Sequence, residues 1–308
     1  MVRQQHWSER LLRCESQIGN RELDFSGCQR TVPTHRRVVR HRPLGTPLHT
    51  FKTTSEVVNA MKDALFAHQK LHEEAGIVHR DISPSHILIG ERSEGFLVDW
   101  DDDATSETQN RPVQVDETRM GTFEFMSINL LSEPTIFQHP NFVDNLESFY
   151  HILSWLALVW GNHDGYYFAV HSKIVSLRYD RRTYDYPTNC RYGSSYKLSD
   201  LYRRFTQQVL GLAPGPFRDL LVDMEEVMAS RYDGIDDKEA DLKHLQFGVK
   251  RRYKSRKDML NNSDWMLARF AKAAHDLSLV EPESTARIDR LLHVHGTCHG
   301  ERLMYYLV

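Results

Sequence analysis

The sequence predicts a mainly α-helical fold carrying one short β-hairpin, an α+β arrangement. Three observations lead there. Val78–Trp100 (VHRDISPSHILIGERSEGFLVDW) holds two short apolar runs around a glycine-bounded turn. Asp144–Trp160 is apolar on nearly all faces over a length that only a helix explains. The remaining strongly patterned stretches carry apolar residues at helical spacing, not in alternation.

Taken in order, residues 1–42 are arginine-rich and weakly patterned, with Gly19, Gly27 and Pro33 breaking any helix. A helix is expected from Thr54 or Ser55, either of which can cap it, with Glu56 in its first turn. Val58, Met61, Leu65 and Leu71 form its apolar stripe and Gly76 stops it. His68 and His72, four apart on this helix, read as packing or surface residues; a shared metal would need a third ligand that the pattern does not supply. In the hairpin, Ile87–Ile89 and Phe96–Val98 are the strands and Gly90–Gly95 the turn. Asp81 precedes the first strand and Asp99 follows the second, so the hairpin folds two carboxylates toward one spot. Asp101–Met120 is a polar loop with Thr105, Ser106, Thr108 and Thr118. In Asp144–Trp160, the residues Leu146, Phe149, Tyr150, Ile152, Leu153, Trp155, Leu156, Val159 and Trp160 predict a fully buried helix. Pro216–Arg231, Ser263–Leu277 and the short Ser284–Leu292 are further helices.

Composition narrows the function. The 308 residues are 40% hydrophobic and 26% charged with a net charge of −3, ordinary for a globular protein and unlike a basic nucleic-acid binder. Cys14, Cys28, Cys190 and Cys298 form no CxxC pair and read as reduced thiols of an intracellular protein. The start, MVRQQHWSERLLR, has no apolar signal core, and the most apolar run, Ile152–Trp160, is too short to span a bilayer. Lys250–Lys257 (KRRYKSRK) is a basic run readable as a nuclear-import signal, an acidic-surface contact or a solvated loop. The histidines of His293–His299, with Cys298, read as a tail that could scavenge zinc or nickel, or as no site at all.

The motifs join these pieces. His79-Arg80-Asp81 opens the hairpin, Asp99-Trp100-Asp101 closes it, and Gly121–Ser127 (GTFEFMS) and Asp144–Tyr150 (DNLESFY) follow in order. Together they resemble the catalytic loop, metal-binding strand, substrate-docking segment and central helix of fungal-type protein kinases, over roughly residues 43–280. The resemblance implies a kinase-like C-terminal lobe at 43–280, with 1–42 a remnant of or replacement for the N-terminal lobe and 281–308 a C-terminal helix and tail. It implies ATP with Mg²⁺ or Mn²⁺ as cofactors and a protein as substrate or partner, with no nucleic acid and no membrane involved. It implies Asp81 as the base that takes the substrate hydroxyl proton, Arg80 as the anchor for the activation segment 101–120, and His79 as a structural residue beneath the loop. Ser83 and Leu88 would border the nucleotide, and Asp99 would be the main metal ligand. Asp144 would hold the backbone of the catalytic loop.

Several positions depart from the pattern. His86 stands where the family places a metal-binding asparagine, and an imidazole nitrogen suits Mg²⁺ poorly. Asn129 stands near the position of a glutamate that latches the docking segment to a distant arginine, so a weaker latch is expected. No GxGxxG occurs, and the first lysine of the sequence is Lys52, already in the expected C-terminal lobe. The resemblance therefore implies a protein Ser/Thr phosphotransferase impaired for want of the phosphate-holding elements, or a pseudokinase that serves as an interaction scaffold. A small-molecule kinase of aminoglycoside or choline type shares an H-x-D loop and a strand ending like Val98–Asp102 (VDWDD). Arg80, GTFEFMS and DNLESFY favour the protein-kinase side.

Overall fold

The computed structural model describes residues 45–100, 121–132, 140–163, 173–185, 190–193, 195–208, 211–232, 256 and 258–280. All belong to a unit running from Pro43 to Val308. Residues 1–42, the loop 101–120, the helix expected at 284–292 and the histidine tail lie outside the described residues. So does the basic run except Arg256, which pairs with Glu226 on a neighbouring helix.

The described part is mainly helical, as the sequence predicts, and carries two small sheets where one hairpin was expected. Thr46–Pro47 forms β1, followed by a 3-10 turn at Leu48–Thr50. The first long helix, α1, spans Thr54–Ala75. Its cap is Thr53, one residue before the expected pair: the Thr53 hydroxyl accepts from Glu56 N at 3.2 Å. The Glu56 carboxylate reaches back to Lys52 N at 2.6 Å. Gly76 ends the helix at φ 66°, a left-handed conformation that glycine adopts without cost. Val58, Met61 and Leu65 are fully buried, as their spacing requires, while Leu71 is half-buried.

The hairpin is present, with its second strand one residue earlier than expected. Ile87–Ile89 is β2 and Gly95–Leu97 is β3, paired antiparallel with Leu88 opposite Phe96. The shift has a steric cause. Gly95 pairs with Ile89 and lies flat against α1, where a Cβ would sit 2.0 Å from the Ala60 carbonyl oxygen. Its N–H donates to Asp63 of the same helix at 3.1 Å. The glycine that reads as the end of the turn is therefore a strand residue packed on a helix. β1 adds a third, antiparallel strand on the other side of β2, which the sequence pattern did not signal.

After the hairpin the described chain resumes at Gly121, with a 3-10 turn at Phe123–Phe125 and the short α2 at Ile128–Ser132. The central helix α3 spans Phe142–Trp160 and is buried along almost its whole length. It starts with a reciprocal cap: Asn141 accepts from Asp144 N, and Asp144 accepts from Asn141 N. A π-helical turn at Ser176–Asp180 and a second hairpin follow, β4 Thr183–Asp185 with β5 Cys190–Tyr192. Next come α4 Ser195–Tyr202, α5 Phe205–Gln208 and α6 Pro216–Ser230, the last opened by Pro216 in its first turn. Helix α7, Asp264–Ser278, packs across α1 and α6. One continuous core joins the inner faces of α1, α3, α6 and α7 with the buried side of the first sheet.

Gly95→Ala should lower stability by about 1–3 kcal/mol or more, because the atom in the way is helix backbone. Heat unfolding should show a midpoint lower by several degrees; an unchanged midpoint would mean that the hairpin does not rest on α1 as described.

Candidate active site

Asp81 and Asp99 do converge, and the residue between them is His86. The His86 Nδ1 donates to the Asp81 backbone carbonyl at 2.8 Å and lies 3.5 Å from Asp81 Oδ2. Its Nε2 lies 3.2 Å from Asp99 Oδ2. The first strand of the hairpin starts at Ile87, so His86 sits at the strand mouth, half-buried, while Asp99 is 76% exposed. Both ends of the site use backbone that L-residues seldom adopt: φ is 71° at Arg80 and 66° at Asp99.

Asp81 is held by one side. Its Oδ1 accepts from Thr122 N at 2.7 Å and from Thr122 Oγ1 at 2.8 Å. Gly121 makes this approach feasible, since at φ 121° a Cβ there would stand 2.9 Å from the Arg80 carbonyl oxygen. Thr122 belongs to the GTFEFMS segment, so that segment and the His79–Asp81 loop are joined at the Asp81 carboxylate. A small cleft beside Asp81 is lined by Ile82, Thr122, Met126, Leu130, Pro140 and Ser148 among others.

The remaining expected residues are placed as follows. His79 is buried beneath the loop, its Nε2 donating to Val98 O at 2.9 Å and its ring 4.6 Å from that of Trp100. Burial pushes its imidazole below the usual histidine range. Trp100 donates its indole N–H to Leu97 O at 2.9 Å, closing the end of the hairpin. Arg80 is buried, and the segment it was expected to anchor lies outside the described residues. Ser83 is buried, with no hydrogen-bond partner for its hydroxyl among the described residues. Leu88 is half-buried, on the opposite face of β2 from Ile87 and Ile89.

Asp144 does not hold the catalytic loop; Asn145, one residue later, does. With its amide oxygen toward the loop, Asn145 accepts from His79 N and Arg80 N, each at 3.2 Å, and from His68 Nε2 at 3.0 Å. One residue along a helix is about 100° of rotation, so only one of the two neighbours can face the loop. His68 is fully buried, its ring stacked on Phe142 at 5.1 Å, and burial pushes its pKa down to about 3. It is a neutral wedge between α1 and α3. The His72 ring lies 4.3 Å from that of Phe142, so both histidines of the His68–His72 pair pack on the same aromatic ring.

Asp144 faces the other way and builds a latch stronger than the sequence suggests. Arg231, at the end of α6, bonds Asp144 Oδ1 at 2.5 Å and Glu147 Oε2 at 2.7 Å. Ser127 Oγ donates to Asp144 at 2.7 Å, Ile128 N to Glu147 at 2.7 Å, and Tyr232 Oη to Glu147 at 2.6 Å. Tyr232 Oη in turn accepts from Asn129 N at 3.1 Å. Burial would raise the Glu147 pKa, but Arg231 and His151 outweigh it and hold the carboxyl down at about 2. The acidic partner sits on the central helix instead of in the docking segment, which is why Asn129 pointed the wrong way. A second clamp had no sequence signal. The buried Lys197 of α4 donates to Glu124 O and Met126 O, both at 2.8 Å, and burial lowers its pKa to about 7.

With this geometry in hand, comparison with known families is decisive. A model of the fungal protein kinase family matches residues 3–157. The chain belongs to that family. The match starts well before the motifs and ends inside α3, so it spans the hairpin, the docking segment and the Asn145 position. No curated protein matches. Among the described residues, no helix is long and apolar enough to cross a membrane. A kinase-family site implies nucleotide and a divalent metal. Asp99 offers the hard, exposed oxygen that Mg²⁺ takes, but His86 offers a nitrogen, and as a pair they do not fit Mg²⁺.

Two outcomes follow. Arg231→Met should destabilise the protein by about 3–5 kcal/mol, because it strands two buried carboxylates; chemical denaturation reads this, and a loss under 1 kcal/mol would remove the latch from the account. His68 takes up a proton readily in the unfolded chain, with its ordinary pKa of 6.5, but only near 3 when folded. Stability should therefore fall as pH drops from about 6.5 toward 3, at up to about 1.4 kcal/mol per pH unit from this group. His68→Gln should flatten that slope; the same slope in the variant would refute the assignment.

Proposed function

We propose that this protein transfers the γ-phosphoryl group of ATP to a Ser or Thr hydroxyl of a protein, with Asp81 as the proton acceptor. The observation that carries this reading is the double hydrogen bond from Thr122 to Asp81 Oδ1. It fixes the carboxylate plane and leaves Oδ2 as the basic oxygen at the rim of the cleft. A hydroxyl seated there would give its proton to Oδ2 as its oxygen bonds to the γ-phosphorus. The bond from that phosphorus to the β–γ bridging oxygen breaks, and ADP leaves. Asp99 would hold the metal–nucleotide complex, the metal supplying charge neutralisation at the phosphates. Asn145 and Arg231 are positioning residues: one holds the loop that carries Asp81, the other the segment that carries Thr122.

The second reading is an interaction module that keeps the fold without turnover. Its supporting observation is His86, which spans the gap between the two carboxylates.

Thermal unfolding with ATP in Mg²⁺, and separately in Mn²⁺, tests the first reading. ATP at a hundred times its Kd should add about 2.7 kcal/mol and raise the midpoint by several degrees. Asp99→Asn should abolish the shift. Phosphate incorporation into a protein substrate should then fall about 10²–10⁴-fold in Asp81→Asn. No ATP-dependent shift with either metal would overturn phosphoryl transfer and leave the interaction module.

A further inference from the structure

Lys197 of α4 is 1% exposed, and both of its hydrogen bonds among the described residues go to backbone carbonyls, those of Glu124 and Met126. Its Nζ lies 5.7 Å from the centre of the Tyr179 ring. Burying an ammonium costs free energy that an apolar residue of the same volume would not incur. The two carbonyls belong to the 3-10 turn at Phe123–Phe125 and to Met126, which closes it. That turn leads back to Asp81. Phe125 N and Met126 N donate to the Thr122 carbonyl at 2.9 and 3.2 Å. Thr122 N and Oγ1 then donate to Asp81 Oδ1 at 2.7 and 2.8 Å. Hydrogen bonds therefore run without a break from Lys197 through Met126 and Thr122 to the Asp81 carboxylate.

We propose that Lys197 is a positioning residue for Asp81, holding the Phe123–Phe125 turn where the Thr122 donors meet Oδ1 and so aiming Oδ2. The turn has other restraints, and they act differently. Ser127 Oγ and Ile128 N bond α3, but both lie beyond the turn. Phe125 packs edge-on against Trp155 with ring centres 5.6 Å apart, which holds the turn down. Apolar packing is not directional, so it leaves the turn free to roll. Two bonds from one nitrogen to carbonyls two residues apart fix its rotation, and only a side chain with several donors on one group can make them. Lys197 does not touch the reacting atoms; it acts through the turn. Its place in catalysis rests on the phosphotransferase reading, whereas the hold on Asp81 stands on the bonds themselves.

The test is amide hydrogen exchange of the full-length protein with ¹⁵N-labelled threonine, the Thr122 signal being the one lost in Thr122→Ser. Exchange at Thr122 reads the bond to Asp81 directly. The Thr206 amide, bonded to Glu225 Oε1 at 2.9 Å, reports whether the fold is intact. Lys197→Met should speed exchange at Thr122 by about 10-fold or more, the worth of about one hydrogen bond, and leave Thr206 protected. Lys197→Arg, which keeps a cation with donors for both carbonyls, should restore the protection. In phosphate transfer, Lys197→Met should lower kcat about 10–100-fold with KM for ATP unchanged. Unchanged protection at Thr122 in Lys197→Met, equal loss at Thr206, or Lys197→Arg with Thr206 protected and Thr122 not would each overturn the proposal. A loss seen in KM for ATP alone would overturn it too. No turnover by the wild type, with Thr122 responding as expected, would overturn phosphoryl transfer and leave Lys197 as the residue that positions Asp81. Turnover by the wild type with Thr122 unmoved would do the reverse.

Discussion

A helix buried on every face has no water for its polar side chains, and α3 carries Asp144, Asn145, Glu147, Ser148, His151 and Ser154 in that position. Each must find a partner in the protein, and for Asp144, Asn145 and Glu147 the partners include the loop and the segment around Asp81. Asn145 takes the catalytic loop and His68; Asp144 and Glu147 take the docking segment and Arg231. The need to satisfy buried polar atoms thus fixes where the loop and the segment sit relative to one another. Asp81 and Thr122 meet because both are hung from neighbouring turns of one helix. The apolar residues of α3 supply the stability, and its few polar ones supply the register.

Much of this was legible in the sequence. The hairpin, α1, α3, α6 and α7 follow from apolar spacing and turn residues, within two residues at each end. Asp81, Asp99 and His86 could be brought together because a hairpin has only one way to fold. What was not legible depends on facing. The sequence places Asp144 and Asn145 side by side, and no periodicity tells which of them points at the loop. The latch was misjudged because its carboxylates lie in a stretch dominated by apolar residues, where a lone acid reads as a cap. Lys197 gave no sign, since a single lysine in a polar helix normally faces water. β1 was missed because two residues are too few to show alternation.

The site also shows how a departure from a family pattern can be coherent. His86 does more than put an imidazole where the family pattern has an amide. Its Nδ1 ties it to the Asp81 backbone, so the imidazole and the loop carrying Asp81 are mechanically one piece. Thr122 ties the same loop to the docking segment from the other side. His86, Asp81 and Thr122 are thus linked through a short chain of bonds inside one hairpin and its neighbour.

Arg80 and Asp99 both stand in left-handed backbone, one at each end of the first hairpin. For an L-residue this conformation costs about 1–2 kcal/mol, which glycine would not incur. Arg80 is a long, buried side chain, and Asp99 is mostly in water, so burying apolar surface does not explain either choice. A chain that needed only a turn at these places would be more stable with glycine in both. That it carries a guanidinium and a carboxylate there instead records a demand on the side chains that folding alone does not make.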